Sequence, residues 1–343
     1  MASILMIGNF LSGLGGRISA GEELAVQLRN RGWTTICTSR KCHAVAKLCD
    51  MLVTCLARRR SYSVAYVEVY SGRAFLWAEA VCFALRGLRK PYVLALHGGN
   101  LPQFSAHRPW RVGRLLSSAR AVASPSAYLC RSLAAARRNV NVIPNGIEII
   151  RYSFRARRNP KPRLVWMRAL HRIYRPDLAI EVFERLYRDD RSTSLTLIGP
   201  DKFDGSRETL DRRASSSSGK SKITYLGPIQ KSAVPSELSK YDIFLNTSEI
   251  DNTPVSLIEA MACGLCIVTT NVGGVPDLVT HEKEALLVNA GDPESMTNAV
   301  RRILREPDLA EHISTQARKK AETFAWGLVL DRWESVFTEI GSV

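Results

Sequence analysis

At 343 residues the chain exceeds the size of a single hydrophobic core, and two domains of roughly 150 residues each are expected. A composition that is 45% hydrophobic and 23% charged excludes a disordered or fibrous protein, and the longest apolar stretch, 74–85, is broken by Glu79 and is too short for the ~20 residues of a membrane-spanning helix. Charge is unevenly divided: residues 1–158 hold 24 Lys and Arg against 6 Asp and Glu, a net of +18, whereas residues 159–343 hold 24 against 26, a net of −2. That asymmetry points to an anionic partner for the first half, whether nucleic acid, an acidic membrane surface or a phosphorylated substrate.

In chain order, strands are predicted at 3–7, 34–38, 63–69, 92–96, 121–123 and 141–143, with amphipathic stretches of helical period between most of them. This is the rhythm of a parallel sheet with crossover helices. Around the apolar run from Ile4 to Ile7 no basic n-region and cleavage site can be assembled, so no signal peptide is expected. After the first strand, Gly13, Gly15 and Gly16 allow close backbone approach to a ligand. Arg40 and Lys41 follow the second strand, where an NADP-dependent oxidoreductase would hold a 2′-phosphate. The spacing argues against that enzyme class, because Ile18 occupies the last position of what would be G-x-G-x-x-G.

Segments 45–60 and 74–90 join apolar residues to terminal clusters of Arg and Lys, as interfacial helices do; packing against the sheet is the alternative. His97 ends the fourth strand, where open sheets place their ligands. The polar, basic segment 151–163, with two prolines, is read as the linker. Alternation then resumes, with strands predicted at 163–167, 194–198, 223–225, 243–246, 266–269 and 285–288. Ser215 to Ser218 are expected in an exposed loop, and a helix over 325–337 is expected to dock with Trp326, Leu330, Trp333 and Phe337 at helical spacing. The eight scattered cysteines lack a second CxxC, which favours free thiols in a reducing cytosol, with Cys263 and Cys266 as core residues.

The segment from Asp251 through Asn252, Thr253, Pro254, Val255 and Ser256 to Glu259 carries the chemistry. Thr253 suits an N-cap and Pro254 the first helical position. The helix start then offers free N–H groups to phosphate, and Glu259 is able to turn its carboxylate toward ribose hydroxyls. An ordinary capped helix with an exposed acid fits the same residues. The longer stretch FLNTSEIDNTPVSLIEAMACGLCIVTTNVGGVPDLV, from Phe244, followed by ALLV, resembles the donor-binding region of retaining glycosyltransferases of family 4, the group 1 glycosyl transferases.

That resemblance implies the α/β GT-B fold, two doubly wound Rossmann-like domains facing each other across a cleft. The N-terminal domain (1–155) would bind the acceptor and the C-terminal domain (156–322) the nucleotide sugar. A final helix (323–343) would pack back on the first domain. It further implies Asp251 near the transferred sugar, in place of the usual Glu, and Glu259 on the ribose. Arg168 would lie on the diphosphate, Gly15 and Gly16 on the cleft floor, and His97 against the sugar. The family's following Lys is absent, which leaves Arg172 or Arg175 as its substitute; Gly273 and Gly274 match a structural turn.

The expected protein is therefore a retaining, metal-independent glycosyltransferase with no cofactor beyond its nucleotide-diphosphate sugar co-substrate. Its expected acceptor is a saccharide or lipid-linked saccharide of cell-surface polysaccharide assembly. The expected location is cytoplasmic, peripheral on the anionic inner face of the membrane, and no nucleic-acid module is recognised. A catalytically inactive sugar-nucleotide-binding relative is the remaining alternative, motivated by the missing Lys and by Asp251.

Overall fold

Short apolar runs bounded by turn residues and separated by helical periods build parallel strands buried on both faces. The computed structural model, which describes residues 3–11, 18–137 and 139–341, contains two such sheets in two units. The first unit contains β1 (Ser3–Ile7), α1 (Ala20–Asn30), β2 (Thr34–Thr38), α2 (Ala44–Ala57), β3 (Val64–Val69), α3 (Ala74–Gly87) and β4 (Tyr92–Leu96). It continues with α4 (Leu101–His107), α5 (Pro109–Ser117), β5 (Ala121–Ser124), α6 (Ala127–Ser132) and β6 (Asn141–Val142). Strand order is β2-β1-β3-β4-β5-β6, all parallel among the described residues.

Alternation along the strands divides the core. Leu5 and Ile7 face a layer with Phe75, Val81 and Leu85 of α3, whereas Ile4 and Met6 face Leu24 and Leu28 of α1. A capping box starts α1: the Ser19 hydroxyl accepts from the Glu22 N–H at 3.1 Å, and the Glu22 carboxylate accepts from the Ser19 N–H at 3.0 Å.

The second unit contains β7 (Arg163–Met167), α7 (Pro176–Asp189), β8 (Ser194–Ile198), α8 (Ser206–Ser216), β9 (Ile223–Gly227), α9 (Val234–Leu238) and β10 (Ile243–Asn246). After these come α10 (Val255–Ala262), β11 (Cys266–Thr270), α11 (Val275–Leu278), β12 (Leu286–Val288), α12 (Pro293–Arg305) and α13 (Pro307–Glu322). The order β9-β8-β7-β10-β11-β12 is that of a dinucleotide-binding sheet, 3-2-1-4-5-6 in its own count.

The last helix, α14 (Trp326–Gly341), belongs to the first unit. Its Trp333 meets Tyr66 edge-on at 5.4 Å, and its Glu334 accepts from Trp33 Nε1 at 2.8 Å and pairs with Arg31 at 2.8 Å. No helix among the described residues is long and apolar enough to cross a membrane.

Boundaries differ from the sequence reading. The units part after Gly146 and again after Ala325, rather than at 155 and 322. Ile147 is already bridged to Ala325 within the second unit. The basic segment read as a linker is anchored to that unit through Arg157, only 2% exposed, whose guanidinium donates to the carbonyls of Arg155 (2.6 Å), Tyr241 (3.0 Å) and Cys263. Arg155 and Arg163 each reach Asp242 at 2.7 Å. The serine run also departs from expectation: Ser215 and Ser216 close α8, and Ser217 is buried.

Candidate active site

In an open α/β sheet, ligands bind beyond the carboxyl ends of the strands where the strand order reverses. In the second unit that point lies between β7 and β10. Arg168 directly follows β7, and the loop 247–254 follows β10. The structure joins them: an Arg168 Nη donates to Asp251 Oδ2, and Asp251 is 5% exposed. Tyr174 lies under the guanidinium at 4.6 Å. Burial lowers the Arg168 pKa, but Asp251 and Tyr174 outweigh it and hold the group above its ordinary value. Its Nε is buried without a hydrogen-bond partner, a donor whose unmet bond costs about 1–3 kcal/mol.

The loop itself is held from beneath. The Asp251 carboxylate accepts from the Asn252 N–H at 2.9 Å and from the Ser248 hydroxyl at 3.3 Å. Gly273, at φ +53, and Gly274 lie against the carbonyls of Asp251 and Asn252, where a Cβ would overlap the backbone. Helix α10 begins at Val255, with Pro254 as its N-cap (ψ 111), one residue later than predicted from Thr253. Pro254 keeps an extended backbone while its carbonyl accepts from Leu257 and Ile258. The first N–H groups of the helix, from Val255 and Ser256, have no partner within the helix.

Glu259, 4% exposed, is held by two residues that the sequence reading missed. The Tyr152 hydroxyl donates to its Oε1 at 2.8 Å, and Lys231 Nζ lies 2.9 Å from the same oxygen. Oε2 makes no hydrogen bond among the described residues. Tyr152 sat in the presumed linker, and Lys231 follows β9 in a turn without a recognisable motif.

The two candidates for the second diphosphate cation are set apart. Arg175, in the left-handed region at φ 48, forks onto Asp177 and reaches Glu249 at 2.8 Å. These carboxylates raise its pKa above the ordinary value and neutralise it. The Arg172 guanidinium is exposed and makes no hydrogen bond or ion pair among the described residues.

In the first unit the strand order reverses between β1 and β3. His97, just past β4, stacks on Tyr70 at 5.3 Å and lies 3.3 Å from the Tyr66 hydroxyl. Its Nε2 is 4.0 Å from Glu68 Oε1. Burial pushes the imidazole down to about 4 and the Glu68 carboxyl up to about 7, so His97 is neutral at physiological pH. Gly15 and Gly16 lie outside the described residues. Among those described, no group of three His, Cys, Asp or Glu side chains is placed to hold a metal ion.

Residues 151–320 match the family model described as glycosyl transferases group 1. The chain is 26% identical over 249 residues to the D-inositol 3-phosphate glycosyltransferase of Rhodococcus jostii, a match covering 68% of this chain and 55% of that protein. The chain thus spans just over half the length of that relative. In fold it is similar to Anabaena HepE, solved with UDP and glucose (TM-score 0.80, 16% identity, 99% of this chain and 100% of that one). It is also similar to the sucrose-phosphate synthase of Thermosynechococcus elongatus (TM-score 0.81, 16% identity, 100% of both chains). The chain has the GT-B fold, and its residues 151–320 are similar to the glycosyl transferases group 1 family.

Proposed function

We propose that this protein is a retaining, metal-independent glycosyltransferase that moves a sugar from a nucleotide-diphosphate donor to a saccharide or lipid-linked saccharide in cell-surface polysaccharide assembly. The observation that carries the reading is the unmet donor of Arg168 at the reversal point of the second sheet, beside the start of α10. A departing diphosphate develops charge there, and fixed donors that meet it lower the barrier. Arg172 supplies the second cation. Glu259, its Oε1 held by Tyr152 and Lys231, offers Oε2 to a ribose hydroxyl. Neutral His97 serves as a hydrogen-bonding group toward sugar hydroxyls rather than as a cation.

The acceptor side falls to the first unit. On α3 and α5, Phe83 and Trp110 are 72% and 75% exposed, with Arg86 and Arg114 over their rings. Exposed aromatics beside guanidinium groups suit an anionic lipid surface and support peripheral attachment at the cytoplasmic face of the membrane. The name of the Rhodococcus relative adds phosphorylated polyols to the acceptors worth screening.

Thermal-shift screening against UDP-, GDP- and ADP-sugars, followed by mass detection of product with and without EDTA, tests the reading. One donor is expected to stabilise the protein by about 2.7 kcal/mol at a hundredfold excess over its Kd, and transfer is expected to survive EDTA and to vanish in Glu259→Ala. Binding without transfer would favour the inactive sugar-nucleotide-binding alternative, to which the Asp at 251 and the missing Lys lend support. Absence of both overturns the proposal.

A further inference from the structure

Glu68 is the acid in an otherwise uncharged strand, Val64–Val69, and is 7% exposed. It stands at the carboxyl end of β3, beside β1, at the reversal point of the first sheet. Its Oε2 accepts from the Asn9 N–H at 3.2 Å and from the Tyr70 hydroxyl at 3.4 Å. Its Oε1 accepts from the Gly21 N–H at 3.2 Å and lies 4.0 Å from His97 Nε2. Asn9 and Gly21 flank the connection between β1 and α1, so one carboxylate holds both ends of that connection, and it bears on the imidazole through Tyr70, whose hydroxyl it accepts from and whose ring stacks on His97.

The neighbouring sequence makes room for it. A Cβ on Gly8 or Gly21 would overlap the Glu68 carboxylate, and neither glycine has a positive φ. Space for the acid, not backbone freedom, is what these two glycines supply. Behind Asn9, buried Lys47 donates to its Oδ1 at 2.6 Å and lies 5.1 Å over the Trp77 ring. Stability does not account for the acid, because desolvation makes a buried carboxylate costly and an uncharged side chain of similar shape would serve the fold as well.

We propose that Glu68 is a positioning residue that fixes both ends of the β1–α1 connection and orients the His97 imidazole for sugar transfer. The assignment rests on the transferase reading of His97. Its structural half is open to test without activity. Glu68→Gln keeps the shape but turns an N–H donor toward backbone N–H groups. It is expected to fold with a Tm no lower than the wild type at pH 7. Amide exchange at residues 8–11 and 18–22 is expected to rise about tenfold, as loss of one bond to a charged acceptor implies, while the rest of the unit is unchanged.

In a transfer assay kcat is expected to fall about 100-fold, with the donor KM held within about twofold. Gly21→Ala is expected to lower kcat by itself and to add nothing in a Glu68→Ala background. Unchanged exchange at these residues overturns the proposal, whether or not any nucleotide sugar is used. So does faster exchange across the whole unit with a lower Tm, the mark of a merely structural role. Wild-type kcat in Glu68→Gln likewise overturns it.

Discussion

The guanidinium of Arg168, past the end of β7, is ion-paired with the carboxylate of Asp251, past the end of β10. Arg168 thereby carries its own counter-ion, which a diphosphate bound there would share or displace. Asp251→Asn is expected to bind UDP or GDP roughly tenfold more tightly by calorimetry, since a charge competing at contact distance is removed, while transfer falls. Arg168→Ala leaves the buried carboxylate without its cation and is expected to destabilise the second unit by about 3 kcal/mol in urea unfolding.

Arg172 and Arg175 stand three residues apart and are expected to fail differently. Arg172→Ala removes an uncommitted cation and should weaken nucleotide-diphosphate binding about tenfold, the loss of one charge-assisted bond, with an unchanged Tm. Arg175→Ala breaks the fork onto Asp177 and the contact with Glu249 and should lower Tm. A larger loss of affinity from the second variant would reverse the assignment of the family's second cation.

Glu68 and His97 give the first unit opposite pH responses. The groups facing Glu68 are Tyr66 of β3, Tyr70 just after it, His97 after β4, Glu22 of α1 and, through Asn9, Lys47 of α2. Burial raises the Glu68 carboxyl from 4.5 to about 7, so the stability it contributes is full below pH 4.5 and is lost as pH rises through 7. Relative to Glu68→Gln, the wild type is expected to lose about 3 kcal/mol across that window. His97, lowered from 6.5 to about 4 by burial, contributes stability that is present above 6.5 and is lost as pH falls through 4. Thermal unfolding of Glu68→Gln and His97→Gln beside the wild type from pH 4 to 8 separates the two effects.

Arg157→Met is expected to cost about 3 kcal/mol, because the Tyr241 carbonyl loses the guanidinium donor and the Cys263 carbonyl keeps only the long bond from the Arg155 N–H, 3.4 Å. Urea unfolding of the second unit measures it. An unchanged midpoint would mean that water replaces the guanidinium.

Phe83→Ser and Trp110→Ser are each expected to reduce sedimentation with phosphatidylglycerol vesicles about tenfold at low salt, from the apolar area they withhold from lipid. Wild-type binding should weaken toward 0.5 M salt. Equal binding to phosphatidylcholine vesicles would count against an anionic surface.

Much of the architecture was legible because most of the twelve strands observed among the described residues are apolar runs closed by turn residues, as burial on both faces of a parallel sheet demands, whereas β2, β6 and β9 are partly or wholly exposed. The observed strand ends fall within two residues of the predicted ones. Arg157 was illegible for the opposite reason. A basic, proline-containing segment reads as solvated, and its partners at Tyr241 and Cys263 lie 84 and 106 residues away. Tyr152 was hidden in the same way, 107 residues from Glu259. Glu68 did leave a trace, a lone acid in the run VAYVEV, which periodicity alone does not interpret.

Helix α14 has a consequence for how the protein is made. It closes the face formed by Ile4, Met6, Tyr66 and Val93, yet the ribosome reaches it only after the whole second unit. At ordinary elongation rates that face waits uncovered for on the order of ten seconds, while the second unit, continuous in sequence, is free to finish folding. The nascent first unit is thus a natural client for a holdase chaperone, and a chain interrupted before residue 326 leaves the ribosome with an apolar surface suited to aggregation.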